Sequence, residues 1–455
     1  MTKQLIILGA GESGTGAALL GKAKGYDVFV SDLGIIKEKY KEQLEEAEIP
    51  FEEGGHSTEK VLAADVVVKS PGIPDKAPLI QELKNKGVEI IDELGFAARF
   101  TEGKIIAITG TNGKTTTTLM TYHLLREAGL DVAMGGNVGQ SMAGQLVVAD
   151  HEWWVLEISS FQIDYKGDLK PFIAVLLNIT PDHLDRYEYK MENYVASKFS
   201  LFDNMDASCH AIVYGEDEVI RQHLSTNTIL ANLHQIGVQV SAGLDSYVNE
   251  QSLVLQEGDE LTFDKNLLPL KGKHNQINTM ASIFSATLAG IKASKIKESL
   301  PNFKNAQHRM ELIANIHGVD FINDSKATNV DATYYALEAF TRPVIWIVGG
   351  VDKGNDYEQL SQVDHNVKAI VCLGKDNEKI KSFYKNKFAI IEETQSMDEA
   401  VRMGYKLAKD REVVLLSPAC ASFDLFKNYE DRGNQFRMAV QLIEREVALK
   451  SLSGS

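Results

Sequence analysis

Residues 108–118 read ITGTNGKTTTT, between an apolar run, KIIAIT, and a helical pattern, LMTYHLLREAG. A glycine turn that joins a strand to a helix points backbone N–H groups, and the positive end of the helix dipole, at phosphate oxygens. Gly110, Thr111, Asn112 and Gly113 make the turn. Lys114 is placed to reach the β- and γ-phosphates of a nucleotide. Thr115 and Thr116 follow it, the first with a hydroxyl suited to a magnesium ion. Ile108 stands where the common phosphate-loop pattern has glycine, so the loop is short at its front end.

A second turn, GAGESG, follows the apolar run QLIIL. Gly9, Gly11 and Gly14 fit G-x-G-x-x-G, and Asp32 ends the next strand. The pattern suits a dinucleotide, and equally any nucleotide diphosphate. Ser70 and Gly72, in SPGI, lie at another strand end, on the edge where open α/β sheets bind ligands.

Further charged groups sit at strand ends. Glu157 closes WWVLE, and NITPDHLDRY puts Asp182, His183 and Asp185 in a loop. Nucleotide-bound magnesium takes one or two carboxylates, so three such loops on one edge favour a metal–nucleotide site. Lys198, in NYVASKFS, falls on a helix, and spacing alone leaves it a solvated lysine. Arg309 in HRMELI and Lys326 in FINDSKATN could neutralise charge on a transferring phosphoryl group. Asp324, Thr328, Lys353 and Ser422 also follow apolar runs, and together they outline a pocket for a small polar substrate.

The elements that must position these groups alternate. Over residues 4–95, short apolar runs separated by helical patterns describe a small doubly wound α/β domain. From about residue 98 to 305 come KIIAIT, DVAMGG, WWVLEIS, FIAVLLNIT and HAIVYG. A hairpin in LVLQEGDELTFDK, turning at Gly258 and Asp259, and a buried helix in NQINTMASIFSATLAG complete that stretch. The alternation restarts over 306–450. The expectation is an α/β protein of three domains, 1–97, 98–305 and 306–450, with a frayed tail at 451–455.

The 455 residues are too many for one core. A net charge of −16 argues against a general nucleic-acid binder, which needs a basic face. Cys209, Cys372 and Cys420 show neither pairing nor metal-ligand spacing, as expected in a reducing cytosol. The N-terminus lacks the pattern of a signal peptide and no run is apolar for long enough to span a bilayer. A cytoplasmic monomer is therefore expected.

GTNGKTTT, EISSFQ, NITPDHLDRY, GKHNQIN, HRMEL and NDSKATN occur in the order of the Mur ligase family, and the chain resembles that family across all three domains. The resemblance implies a Rossmann-like N-terminal domain, a central P-loop ATPase-like domain and a C-terminal Rossmann-like α/β domain. LGAGESG at the start, and LSPACASFD with NYEDRG near the end, are similar to the members that add D-glutamate to UDP-N-acetylmuramoyl-L-alanine. The implied activity needs ATP and Mg2+: the substrate carboxylate becomes an acyl phosphate, the amine of D-glutamate attacks it, and phosphate leaves.

The same resemblance assigns residues. It places Gly110 to Thr116, Asn278, Arg309, Asp324 and Lys326 at ATP, and Thr115, Glu157, His183 and Lys198 at magnesium. It makes Lys114, His183 and Lys198 catalytic. It also implies that Lys198 is carbamylated, which turns a cation into an anion able to sit beside the metal. Gly14, Ser70, Gly72 and Asn137 fall at the UDP-linked substrate. Thr328, Lys353, Ser422 and Phe423 fall at D-glutamate, whose carboxylates need a cation and hydroxyl or N–H donors.

Three rivals leave more unexplained. A sibling ligase for a diamino acid would show a DNPR-type run, which is missing, and the folate-linked siblings lack the N-terminal domain. A nicotinamide oxidoreductase would use GAGESG and Asp32 but leave GTNGKTTT and DHLD idle. A nucleotide-gated binding protein would need no second-substrate pocket.

Overall fold

The computed structural model describes residues 2–240, 243–257, 259–270, 272–352 and 354–453. Three sheets carry the chain. The first holds β1 (Gln4–Leu8), β2 (Asp27–Asp32), β3 (Phe51–Glu53), β4 (Val66–Lys69) and β5 (Glu89–Ile91), all parallel in the order β3-β2-β1-β4-β5. Its strands read as unbroken apolar runs because both faces are covered. Leu5 and Ile7 face one core, Ile6 and Leu8 the other.

The second sheet holds β6 (Lys104–Thr109), β7 (Val132–Gly136), β8 (Trp153–Glu157), β9 (Ile173–Leu176), β10 (His210–Tyr214) and β11 (Asn232–Ile236). It continues with β12 (Ser246–Val248), β13 (Ser252–Glu257) and β14 (Asp259–Asp264). The order is β14-β13-β12-β11-β10-β9-β6-β8-β7, with antiparallel pairing only from β12 onward. Because β6 lies between β8 and β9, the loops after these three strands emerge side by side. Open α/β sheets bind ligands at such an edge. The expected hairpin is β13–β14; Gly258, expected in its turn, lies outside the described residues.

The third sheet holds β15 (Glu311–Ile316), β16 (Val319–Asn323), β17 (Val344–Val348), β18 (Val367–Leu373), β19 (Ile391–Thr394) and β20 (Val413–Leu416). Their order is β15-β16-β20-β17-β18-β19, and only β15 is antiparallel. The helix Tyr429–Ser453 packs on one face through Phe436, Ala439, Val440 and Ile443. It runs through 451–453, where a frayed tail is expected; 454 and 455 lie outside the described residues.

β3, β11, β12, β15 and β19 are absent from the sequence expectation. β3 reads FEE and β19 reads IEET, too short and too charged to stand out as apolar runs. β15 has five of its six residues partly or fully exposed.

Two compact units emerge. One takes everything up to Pro269 together with Asn275–Phe303, and the other begins at Lys304 and adds Leu270–His274. The change of sheet near residue 97 is not a gap in packing, since one apolar cluster runs continuously from Leu5 to Ala231. Glu93, in the helix Glu93–Ala97, ties the first two sheets. Its Oε1 accepts the Ser141 hydroxyl and the Ala143 N–H, both at 2.7 Å, at the start of the helix Met142–Val148.

Burial pushes the Glu93 carboxyl up to about 7, with Glu12 adding to the rise. Between the ordinary carboxylate range and that value the folded chain holds a proton that the unfolded chain releases. Stability from this group is therefore full below the ordinary range and lost as pH rises through about 7. A shift of this size is worth about 3 kcal/mol at most. Glu93→Gln keeps the accepting oxygen and removes the charge. The variant's denaturation midpoint should fall less than the wild type's between about pH 5.5 and pH 8; equal falls would show that Glu93 does not titrate in the joint.

Candidate functional site

The loop after β6 is braced by the loop after β9. Thr111 N–H donates to Asn178 O at 2.9 Å. The Asn178 side chain grips Asn112 from both sides: it accepts the Asn112 N–H at 2.8 Å and donates to Asn112 O at 3.1 Å. Thr111 Oγ1 donates to Thr180 O and accepts the Thr180 N–H, both at 3.0 Å. Gly113 is the N-cap of the helix Lys114–Glu127, with φ 86° and no side-chain cap. A Cβ there would stand 2.4 Å from Asn278 Oδ1, so glycine allows both the left-handed turn and the approach of Asn278.

Two lysines converge on this loop. Lys114 Nζ donates to Gly110 O at 2.9 Å and to Thr111 O at 2.7 Å. Lys198 Nζ donates to the same Gly110 O at 3.0 Å. Lys198 comes from the helix Met191–Phe199, is 1% exposed, and lies 4.7 Å from the centre of the Tyr194 ring. It is therefore not the solvated lysine that spacing alone allows. Burial first, and then repulsion from Lys114, pushes its ammonium well below the ordinary lysine value, while Asp182 and Asp164 pull the other way. Positive charge and a helix N-terminus thus meet at one loop, as an anion site requires.

Glu157 ends β8 and is buried. Its Oε1 accepts the Asn137 side-chain amide at 2.9 Å, while Oε2 is buried with no hydrogen-bond partner among the described residues. An orphaned carboxylate oxygen is costly, and a hard cation would satisfy it. Among the described residues no group of three or more His, Cys, Asp or Glu could hold a metal ion. Glu157 therefore fits an ion whose other ligands come largely from a nucleotide and water, as is usual for magnesium. His183 sits in the loop after β9 in a left-handed conformation, φ 52°, its side chain 44% exposed, with Nε2 3.6 Å from Asp182 Oδ2 and its ring edge-on to Phe161.

On the first sheet, Gly14 packs so tightly that a Cβ would stand 1.8 Å from Gly9 O. Both oxygens of Asp32 are engaged by main chain: Oδ2 accepts the Ala10 N–H of the glycine turn at 2.7 Å and Oδ1 the Gly34 N–H of its own turn at 2.8 Å. That weighs against a carboxylate kept for a nicotinamide ribose. Ser70 and Gly72 follow β4, and Arg186 reaches Pro71 O and Gly72 O at 3.4 and 3.3 Å. Arg186 thereby links the loop of His183 to the loop of Ser70.

In the second compact unit, loops leave the adjacent strands β16, β20 and β17. Asp324 is buried; Oδ1 accepts the Met310 N–H at 3.1 Å and Oδ2 the Ser417 hydroxyl at 3.0 Å. Burial lifts its carboxyl to about 7, against the pull of Arg309. Arg309 Nε is buried without a hydrogen-bond partner among the described residues, a donor in want of an acceptor. Lys326 Nζ lies 5.5 Å from the centre of the Tyr429 ring, and the Thr328 N–H donates to Lys326 O at 3.0 Å. Ser422 is buried and Phe423 is 72% exposed; with an apolar ring, Phe423 has only its main-chain N–H to offer an anion. Lys353 lies outside the described residues. Its loop is joined to that of Ser422 by two main-chain bonds between Val351 and Ala421, at 2.8 and 3.2 Å.

Two bracing residues are not evident from the sequence. Asn178 stands inside NITPDHLDRY and Arg432 inside NYEDRG, within recognisable motifs whose spacing gives neither residue a role. Arg432 is 1% exposed. Its guanidinium donates to Ser325 Oγ and O, Gly349 O and Cys420 O, at 2.9 to 3.5 Å. One buried cation thus fastens all three strand-end loops.

Comparison with known proteins adds to this geometry. Residues 4–78 match the family profile of the MurD N-terminal domain, 108–286 that of the Mur ligase middle domain, and 308–420 that of the Mur ligase glutamate ligase domain. A UDP-N-acetylmuramoylalanine–D-glutamate ligase of Cytophaga hutchinsonii is 49% identical over 97% of this chain and 99% of its own length. The solved UDP-N-acetylmuramate–alanine ligase of Thermotoga maritima shares the fold at a TM-score of 0.61 and 18% identity, covering 97% of this chain and 99% of that one. A second Thermotoga maritima ligase of the family, solved in complex with ADP, shares it at 0.60 and 14%, covering 93% and 95%.

Proposed function

Because the chain belongs to the Mur ligase family, we propose that it is the ligase that joins D-glutamate to UDP-N-acetylmuramoyl-L-alanine in peptidoglycan precursor synthesis. The observation that carries this is 49% identity, over nearly the whole chain, to a ligase of that name. The main-chain bonds that occupy both oxygens of Asp32 and the orphaned Glu157 oxygen both favour a ligase over an oxidoreductase.

A carboxylate is a poor acyl donor because its leaving group would be oxide. ATP supplies the phosphoryl group that makes it an acyl phosphate, and Mg2+, when bound, screens the repulsion between the two anions. The chain's own groups bind and orient. Lys114 and the start of the helix Lys114–Glu127 hold the transferring phosphate. Glu157 offers its free oxygen to the metal, with Thr115 and His183 as further ligands, and Asn137 fixes the other Glu157 oxygen. The depressed basicity of Lys198 supports its carbamylation, since only a neutral amine adds to carbon dioxide, releasing a proton as the carbamate forms.

GAGESG with Ser70 and Gly72 holds the uridine diphosphate as a handle. Asn278, Arg309, Asp324 and Lys326 serve ATP. Thr328, Lys353, Ser422 and Phe423 serve D-glutamate. The domains run 1–97, 98–305 and 306–450, in a cytoplasmic monomer; no helix among the described residues is long and apolar enough to cross a membrane.

A substrate panel tests this. Phosphate release from ATP should require both UDP-N-acetylmuramoyl-L-alanine and D-glutamate. Equal or faster turnover with L-alanine or L-lysine would remove the assignment.

A further inference from the structure

One side chain joins the three segments that carry Glu157, His183 and Lys198, and it is none of the residues assigned above. Asp164 is the C-cap of the helix Ser160–Ile163, which follows β8 and Glu157. Its Oδ2 accepts the Tyr187 hydroxyl at 2.9 Å, and its Oδ1 accepts the Ser197 hydroxyl. The two hydroxyl oxygens are 3.2 Å apart, and Ser197 Oγ is also 3.3 Å from Ser160 O.

Each partner leads to a site residue. Tyr187 closes the short helical turn Leu184–Arg186, just after His183. Its ring stacks on Phe161, the ring that meets His183, at 6.2 Å and 14°. It also packs at 5.3 Å against Tyr194, the ring beside the Lys198 ammonium. Ser197 immediately precedes Lys198 on the helix Met191–Phe199. A single carboxylate therefore sets the loop after β9 and the Lys198 helix against the segment that leaves β8.

We propose that Asp164 is a positioning residue for the ligation, holding Lys198 and the His183 loop in register with Glu157; this rests on the role given to Lys198 above. The cavity beside it makes the idea testable. Asp164 opens on a cavity of about 410 Å3, also lined by Asp75, Lys84, Val88, Ile90 and Tyr165. Lys69, buried with its ammonium 4.3 Å from the centre of the Tyr165 ring, and Lys84 flank it, both paired with Asp75 at 3.7 and 2.8 Å; the Tyr187 and Ser197 hydroxyls that a truncated Asp164 leaves behind are the donors a small carboxylate would meet. A carboxylate removed from position 164 can be replaced from solvent.

The experiment compares variants of the full chain with both substrates, well below the denaturation midpoint. Asp164→Ala should lose about 10-fold or more in kcat, with KM for the UDP-linked substrate within about 3-fold. Formate should restore turnover with saturation, and Asp164→Asn, which keeps an acceptor and the shape, should stay within about 5-fold of wild type. Tyr187→Phe should lose less, and adding it to Asp164→Ala should cost no more, as for members of one network. Two results overturn positioning by Asp164 while Lys198→Ala is inactive: wild-type kcat in Asp164→Ala, or a loss that neither formate nor Asn restores. A fully active Lys198→Ala would instead remove the role of Lys198, and this proposal with it.

Discussion

Lys114→Ala is expected to lower turnover by about 10³-fold or more while the protein stays folded. The side chain is only partly buried, and it donates to two carbonyls of its own loop, which water can serve in its place. Stability therefore has little at stake. Catalysis has much, because a charge-assisted bond to a phosphoryl group that gains charge in transfer is worth several kcal/mol in a dry site. Circular dichroism and the denaturation midpoint check the fold, and phosphate release checks the chemistry. A folded, active variant would take the phosphate loop out of the reaction. Arginine should not rescue it, since a planar fork cannot lie back along the loop as the ammonium does.

Lys198→Ala is expected to lose about 100-fold or more, again without unfolding. Burying an ammonium is unfavourable, and here a second ammonium on the same carbonyl adds to the cost. Removing Lys198 relieves that cost, so the denaturation midpoint should hold or rise. If the working form is a carbamate, acetate or formate should restore part of the turnover to this variant by supplying the missing anion. Unaffected turnover would exclude the residue from the mechanism. Lys114→Ala should also make Lys198 more basic, because Lys114 is the main depressing influence after burial.

What could be seen in the sequence was what is local. Both glycine turns, the strands that feed them and Glu157 at a strand end are fixed by neighbours a few residues away, so spacing reveals them. Lys198 could not be raised above a solvated lysine because the carbonyl it meets belongs to Gly110, far back in the chain. Asn178 and Arg432 were hidden for the same reason: their meaning lies in main-chain groups contributed by other loops. β15 escaped because an exposed antiparallel edge strand has no apolar run, and its identity comes from pairing with β16. The three-domain architecture was legible, whereas the core shared by the first two sheets was not, because membership of one cluster by residues as far apart in the chain as Leu5 and Ala231 leaves no trace in composition.

Arg432 has a consequence for how this chain can change over generations. It sits near the start of the helix Tyr429–Ser453, and beyond it Phe436, Ala439, Val440 and Ile443 simply lie on the sheet. Substitutions among those later apolar positions alter how closely the helix packs, and a neighbouring volume can compensate for each. A substitution at Arg432 strips the shared donor from Ser325, Gly349 and Cys420 together, and no single second change can supply it to all three. Drift is thus permitted along most of one helix and barred at one point of it, so the loops of the third sheet are inherited or lost as a unit.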